Sequence, residues 1–312
     1  MTAVDGISFN IDRGETVGIV GESGSGKTMT ALSLLRLIPE PGKITSGKIL
    51  FGERDVVHMS DEDLREFRGA DVAMIFQDPM TSLNPVLKVG FQIEEAMAAH
   101  RRFTSKQAHD RVLPMMQRVR IPAAAQRLRD YPHQFSGGMR QRVMIAMGLS
   151  NEPSLLIADE PTTALDVTVQ ASIIELLRDL NREFGAAVIL ITHNLAVVAS
   201  LCQRVIVMYA GRIVEEGPTR AIFKNPQHPY TWSLLRSIPR VDERSHEKLL
   251  SISGLPPDLS NPPPGCTFHP RCRFRIDKCS TEEPNLDEVG DGQRARCWVL
   301  MSNVPAAEKG ER

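Results

Sequence analysis

The run Gly21-Glu22-Ser23-Gly24-Ser25-Gly26-Lys27-Thr28 constrains this chain more than any other feature, because it fits G-x-x-x-x-G-K-[ST] at every position. Glu15–Val20 before it reads as a buried strand, and Met29–Leu37 after it reads as a helix. Strand, glycine-rich turn and helix, in that order, is the context the pattern requires. The glycines let successive backbone N–H groups turn toward an anion, and the helix dipole points at the same spot. Lys27 brings a positive charge to the β- and γ-phosphates, and Thr28 offers a hydroxyl to Mg²⁺. The loop therefore predicts a nucleoside triphosphate site.

A sheet must carry that loop. Asp71–Phe76, Ser154–Ala158, Ala187–Thr192 and Arg204–Tyr209 read as further buried strands separated by helical stretches, which predicts an α/β fold with a mixed or parallel sheet. The strands lead into Gly21, Gln77, Asp159 and His193. In open α/β sheets ligands bind beyond the carboxyl ends of the strands, so these four residues are expected to converge on one site. Leu155-Leu156-Ile157-Ala158-Asp159-Glu160 delivers Asp159 to the metal, directly or through water, and Glu160 can polarise a water for attack on the γ-phosphate. An Asp-Glu pair at a strand end is common on surfaces; the phosphate loop gives this one a function. Arg204–Tyr209, Ala210-Gly211-Arg212 and Ile213–Glu216 read as a strand, a turn and a return strand.

Composition narrows the setting. The formal net charge is −1, which gives no global attraction to nucleic acid or anionic lipid. No apolar run approaches the ~20 residues that cross a bilayer, and the N-terminus has no basic region followed by an apolar one. A cytosolic protein is expected, with any membrane role exercised through a partner. Residues 78–135 are amphipathic and helical in pattern, and predict a helical subdomain, about 78–150, inserted into the sheet domain. Arg101, Arg102, Arg111, Arg118, Arg120, Arg127 and Arg129 fall there, where a solvated helix face is the better reading than an RNA site. Beyond Phe223 proline becomes frequent, with Pro256-Pro257 and Pro262-Pro263-Pro264 reading as a stiff linker. The expected organisation is a domain over 1–225 and an extension over 226–312.

Phe135-Ser136-Gly137-Gly138-Met139-Arg140-Gln141-Arg142, shortly before the Asp159 strand, resembles the signature motif of ATP-binding cassette (ABC) ATPases. Ser136 and the Gly137 and Gly138 N–H groups, opening a helix, make a second anion site. In that family the signature of one subunit covers the ATP held by the phosphate loop of another. The remaining motifs resemble the family in order. Gln77 matches the glutamine linking the Mg²⁺ site to the helical subdomain. Ala164-Leu165-Asp166 matches the loop that crosses the dimer interface, and His193 in Ile191-Thr192-His193-Asn194 matches the switch histidine. The resemblance covers residues 3 to about 223 and implies a P-loop ABC ATPase. It assigns ATP binding to Gly21–Thr28, Ser136–Gly138 and Asp166, Mg²⁺ to Thr28, Gln77 and Asp159, and catalysis to Glu160, His193 and Gln77. In this family a strand and an adenine-stacking aromatic lie upstream of the loop, a stretch expected before Met1 here; Phe9 is not given that role.

Three stretches resemble the dipeptide, oligopeptide and nickel importers: Phe76-Gln77-Asp78-Pro79-Met80-Thr81-Ser82-Leu83-Asn84-Pro85, Met139, and Asn225-Pro226-Gln227-His228-Pro229-Tyr230-Thr231 with Leu234-Leu235. That resemblance implies an ATPase at the cytoplasmic face of the membrane. Its implied partners are a second ATPase subunit, two membrane permease subunits and an extracytoplasmic solute-binding protein, with no nucleic acid. The alternative is a soluble ABC ATPase of DNA repair or chromosome maintenance. Those carry long insertions between loop and signature, and residues 78–135 are too few for one.

Four of the five cysteines, Cys266, Cys272, Cys279 and Cys297, follow a C-x5-C-x6-C-x17-C spacing in the extension. A reducing cytosol argues against disulfides. A small polar module needs a metal or cross-link to fix its fold. Four thiolates serve either a [4Fe–4S] cluster or structural Zn²⁺, and zinc sites favour pairs two to four residues apart, which this chain lacks. The stretch Gly265–Cys272 also resembles the extension of peptide-importer ATPases, where such clusters occur, and implies a structural [4Fe–4S] cluster.

Overall fold

The computed structural model describes residues 1–100, 103–163, 165–237 and 252–309. Arg101, Arg102 and Ala164 lie outside the described residues. The strands are β1 (Thr16–Val20), β2 (Leu50–Phe51), β3 (Arg54–Asp55), β4 (Val72–Ile75), β5 (Leu155–Asp159), β6 (Ala187–Ile191), β7 (Arg204–Tyr209), β8 (Arg212–Pro218), β9 (Asp287–Gly290) and β10 (Gln293–Ala295). The chain divides into two compact units: Met1–Phe9, Val17–Thr30 and Thr192–Arg312 in one, Asn10–Thr16 and Ala31–Ile191 in the other.

In the second unit β4, β5 and β6 pair in parallel, with Ala73 opposite Leu156 and Ile157 opposite Ile189. Their near-continuous apolar sequences suit strands covered on both faces, and Ile75, Leu156, Ile157 and Val188 to Ile191 are all buried. The signature helix, Gly137–Leu149, lies against this sheet: a Cβ at Gly148 would stand 3.7 Å from both Ile75 and Leu156. The inserted helical region comprises Pro79–Ser82, Val89–Ala98, Ser105–Arg118, Ala124–Arg127 and the signature helix. Ser105–Arg118 begins with a reciprocal capping box, Thr104 to the Gln107 N–H and Gln107 back to Thr104. The half-buried Arg127 pairs with Asp130, and Arg111, Arg118 and Arg120 each pair with a nearby carboxylate at the surface. Such exposed pairs contribute about 0–1 kcal/mol each. These arginines are a solvated face, as the sequence predicts.

The first unit holds a mixed sheet. β1 pairs with β7 in parallel, Ile19 opposite Ile206, and β7 with β8 antiparallel. The predicted hairpin is there: Ala210 and Gly211 both have positive φ, +48° and +79°, the turn geometry whose twist matches the flanking strands. Two further strands, absent from the sequence reading, continue the sheet from the extension. β10 pairs with β8, Ala295 opposite Glu215, and β9 with β10. Their turn has the same geometry at Asp291 (φ +52°) and Gly292 (φ +70°).

The buried polar centre of this unit is Glu215, which is 0% exposed. Its carboxylate accepts from the N–H groups of Gln227 at 2.6 Å and His228 at 2.9 Å, at the start of the helix Pro229–Arg236. The first N–H groups of a helix have no intrahelical partner, and Glu215 satisfies two donors at that end. Burial nevertheless pushes its pKa up to about 7, the donors only partly offsetting desolvation. An unfolded carboxyl loses its proton near 4.5, so between these values the folded chain binds more protons than the unfolded one. Its contribution to stability is complete below pH 4.5 and declines as the pH rises through 7. Thermal melts of wild type and Glu215→Gln from pH 5 to 8 should show wild type losing ground to the variant. The difference is on the order of 3 kcal/mol. A constant gap across that range is the contrary result.

Candidate functional site

The candidate nucleotide residues divide between the units: Gly21–Thr28 and His193 in the first, Gln77, Ser136–Gly138, Asp159, Glu160 and Asp166 in the second.

The loop leaves β1 through a turn that only glycine tolerates. A Cβ at Gly21 would lie 2.2 Å from the Met208 carbonyl oxygen, and Gly26, at φ +98°, would meet the Ala3 carbonyl at 2.7 Å. The helix Lys27–Leu34 follows directly. Lys27 is buried and its ammonium donates to the Gly21 and Glu22 carbonyls at 2.8 and 2.9 Å. Ser25 Oγ is buried without a hydrogen-bond partner among the described residues. A buried hydroxyl without a partner costs about 1–3 kcal/mol. With a charged amine and a helix start beside it, it fits a phosphate-binding cradle. The outer side of the loop is held by the extension. The Glu22 N–H donates to Tyr230 Oη at 2.9 Å, and the Glu22 carboxylate accepts from Arg271 at 2.6 and 3.0 Å. Tyr230, Tyr209 and Phe268 pack as a ring cluster under that contact, with centroids 4.7 to 5.3 Å apart. His193 follows β6 and is exposed.

In the second unit, Asp159 is the buried last residue of β5. Glu160 follows it with φ +46°, a left-handed conformation that a non-glycine residue adopts at a cost. Its N–H donates to the Ile191 carbonyl. Its carboxylate accepts from Gln77 Nε2 at 3.1 Å and Thr163 Oγ1 at 2.8 Å. The backbone is thus bent to bring Gln77 and Glu160 together, two residues 83 positions apart in sequence. These two donors orient the carboxylate, as a water-polarising group requires.

Ser136 caps the signature helix, accepting from the Met139 N–H at 3.3 Å. Asp166 caps Val167–Phe184 in the same way, accepting from Val169 at 2.9 Å. The two caps share a face: a Cβ at Gly138 would strike Val169 at 2.6 Å, and one at Gly137 would touch Leu165 at 3.5 Å. Glycine at 138 leaves room for the Val169 side chain of the helix Val167–Phe184, which packs directly on it.

The four late cysteines occupy one neighbourhood. The Cys266 N–H donates to the Cys279 carbonyl. Burial pushes the Cys272 thiol up to about 12 and also raises Cys297, which is further raised by the proximity of Cys266, Cys272 and Cys279. Among the described residues no group of three or more His, Cys, Asp or Glu side chains is placed to hold a metal ion. Cys202 is separate: burial pushes it up to about 12, and it packs against Gly18 under β1.

The ABC transporter family model matches residues 4–163, and that of the oligopeptide/dipeptide transporter C-terminal region matches residues 214–279. The chain is 52% identical to the dipeptide transport ATP-binding protein DppD of Bacillus subtilis, over 95% of this chain and 89% of that protein. It is 50% identical to DppD of Escherichia coli, over 97% and 92%. The chain belongs to the ABC transporter family. It is therefore an ABC ATPase. Among solved structures, a dimeric post-hydrolysis state of the ATP-binding cassette MJ0796, bound to ADP and Pi, superposes with a TM-score of 0.61. That match has 29% identity and covers 70% of this chain and 91% of that one. Both matching family models are transporter models, and the DNA-maintenance alternative receives no support. Among the described residues no helix of this ABC ATPase is long and apolar enough to cross a membrane.

Sequence reasoning found the motif residues but missed Tyr230 and Arg271 as supports of the loop. Both sit in stretches it had singled out for family resemblance, and nothing in their spacing points to Glu22. Glu160→Gln should slow ATP turnover at least ~10²-fold, as for loss of a positioned base, while MgATP still binds. Single-turnover hydrolysis beside a binding titration checks both. Near-normal turnover would remove Glu160 from the chemistry.

Proposed function

We propose that this ABC ATPase powers import of dipeptides or oligopeptides, or a related solute such as nickel, from the cytoplasmic face of the membrane. The observation carrying this reading is one chain that combines a full nucleotide motif set with a match to the oligopeptide/dipeptide transporter C-terminal region. The relatives bear dipeptide transport names over nearly their whole length. In this reading Lys27 and the loop N–H groups take the β- and γ-phosphates, and Glu160 polarises the attacking water. Thr28, Gln77 and Asp159 are the residues to hold Mg²⁺, which neutralises charge on the phosphates. His193 acts beside the γ-phosphate.

The working unit is a pair of ATPase chains, identical or homologous, on two permease subunits, fed by an extracytoplasmic binding protein. The face shared by Ser136 and Asp166 supports the pairing, and the solved relative is dimeric. Asp78–Pro85 and the helix behind it form the permease-docking surface. Val86 and Phe91, 75% and 52% exposed, offer apolar side chains just after this stretch for a membrane partner to cover.

In this reading the four cysteines hold a structural [4Fe–4S] cluster rather than zinc, on the ground of their sequence spacing and not of their placement. They are gathered from a long stretch without a close ligand pair, and a cluster spans more space than one ion.

Detergent extraction of tagged chain from its native membrane should bring down two integral-membrane subunits, and deleting the gene should abolish uptake of labelled dipeptide. Recovery of the chain with DNA, or undiminished uptake, is the contrary outcome. Separately, protein purified without oxygen should be brown and carry about four iron and four sulfide per chain. Colourless protein with one zinc per chain would decide for the alternative.

A further inference from the structure

Glu22 places a carboxylate at the second position of a loop whose purpose is to hold a polyanion. An unneutralised charge there would oppose the phosphates, since the loop is short and partly desolvated. Its neutralising group comes from far along the chain. The Arg271 guanidinium meets the Glu22 carboxylate with both prongs, at 2.6 and 3.0 Å, and its side chain is 6% exposed against 25% for Glu22. Arg271 is itself held. Its Nε donates to the Ser253 carbonyl at 3.0 Å, and it reaches Tyr209 Oη at 3.3 Å. Tyr209 and Tyr230 pack beneath with their rings tilted by 56°, and Tyr230 Oη accepts from the Glu22 N–H. One side chain thus joins the phosphate loop, the end of β7 and the segment that precedes the prolines.

We propose that Arg271 is a positioning residue for ATP binding, which cancels the charge of Glu22 and fixes the outer edge of the phosphate loop so that its inward N–H groups stay aimed at the nucleotide. A bidentate guanidinium suits both tasks, because the fork fixes the carboxylate plane while supplying a permanent charge. Arg271 lies immediately before Cys272. The order of the cysteine module therefore bears directly on the affinity of the loop.

This rests on the ATPase reading and is tested by calorimetric titration of ATP in excess magnesium into the purified full-length chain, with melting temperatures measured alongside. Arg271→Gln should weaken ATP roughly five- to tenfold, as expected for an uncompensated charge several ångströms from the phosphates. Glu22→Gln should weaken it less, and adding Glu22→Gln to Arg271→Gln should restore at least half of the loss on a logarithmic scale. The melting temperatures separate this from a purely structural role, in which affinity would follow stability across the three variants; here the affinity rescue exceeds what the melting temperatures account for. Arg271→Lys, which keeps the charge and loses the fork, should stay within about threefold of wild type, and serves if Arg271→Gln does not fold. Wild-type affinity in Arg271→Gln, no rescue in the double variant, or equal losses in the Lys and Gln variants would each overturn the proposal. A wild-type chain that fails to bind ATP would overturn the ATPase reading as well.

Discussion

A loop that turns its N–H groups inward toward an anion leaves its outer polar groups to be satisfied by something else, and the first unit is arranged around that requirement. Lys27 occupies the Gly21 and Glu22 carbonyls, Tyr230 takes the Glu22 N–H, and Arg271 takes the carboxylate. Each partner must then be fixed in turn. Tyr230 is fixed by the ring cluster and by the helix Pro229–Arg236, and that helix by the buried Glu215 on β8. A chain of polar contacts therefore runs from the sheet to the loop through residues beyond position 225.

This explains why the extension is not an appendage. β9 and β10 lengthen the sheet that carries β1 and β7, and Gln293 is buried against Gly217. Trp232, Met301 and Val304, with Phe274 and Val299 against them, make a separate apolar cluster on the same segment. A stretch of this size lacks the area for a core of its own, and it gains one by sharing a sheet and a helix with the nucleotide-binding half.

The second unit solves a different problem. Its parallel strands are apolar throughout, so the only polar groups they present are at their ends. The candidate catalytic groups are concentrated there: Asp159 buried at the end of β5, Glu160 bent into a left-handed conformation, Gln77 brought to it from beyond β4. Strain at Glu160 persists because Ile191, Gln77 and Thr163 all hold that residue in place. The signature and Asp166 caps lie together for a packing reason, Val169 closing on Gly138.

The strands beneath the motifs, the helical insertion, the 204–216 hairpin and the family's motif residues are local properties, so periodicity, glycine placement and motif order reveal them in one sequence. β9 and β10 escaped that reading although Asp291-Gly292 is a strong turn signal, because the flanking residues, Asp287, Glu288 and Arg294 among them, are too polar to read as strands. Their place is decided by edge pairing with β8, which backbone hydrogen bonds supply whatever the side chains. The Glu22–Arg271 pair spans 249 positions, and the Glu22–Tyr230 bond 208. No periodicity connects residues so far apart. The sequence by itself determined the phosphate loop, the order of the cassette motifs and hence the family; only the tertiary structure decided what holds the loop in shape, because that depends on which distant donors the packed aromatic cluster delivers to Glu22.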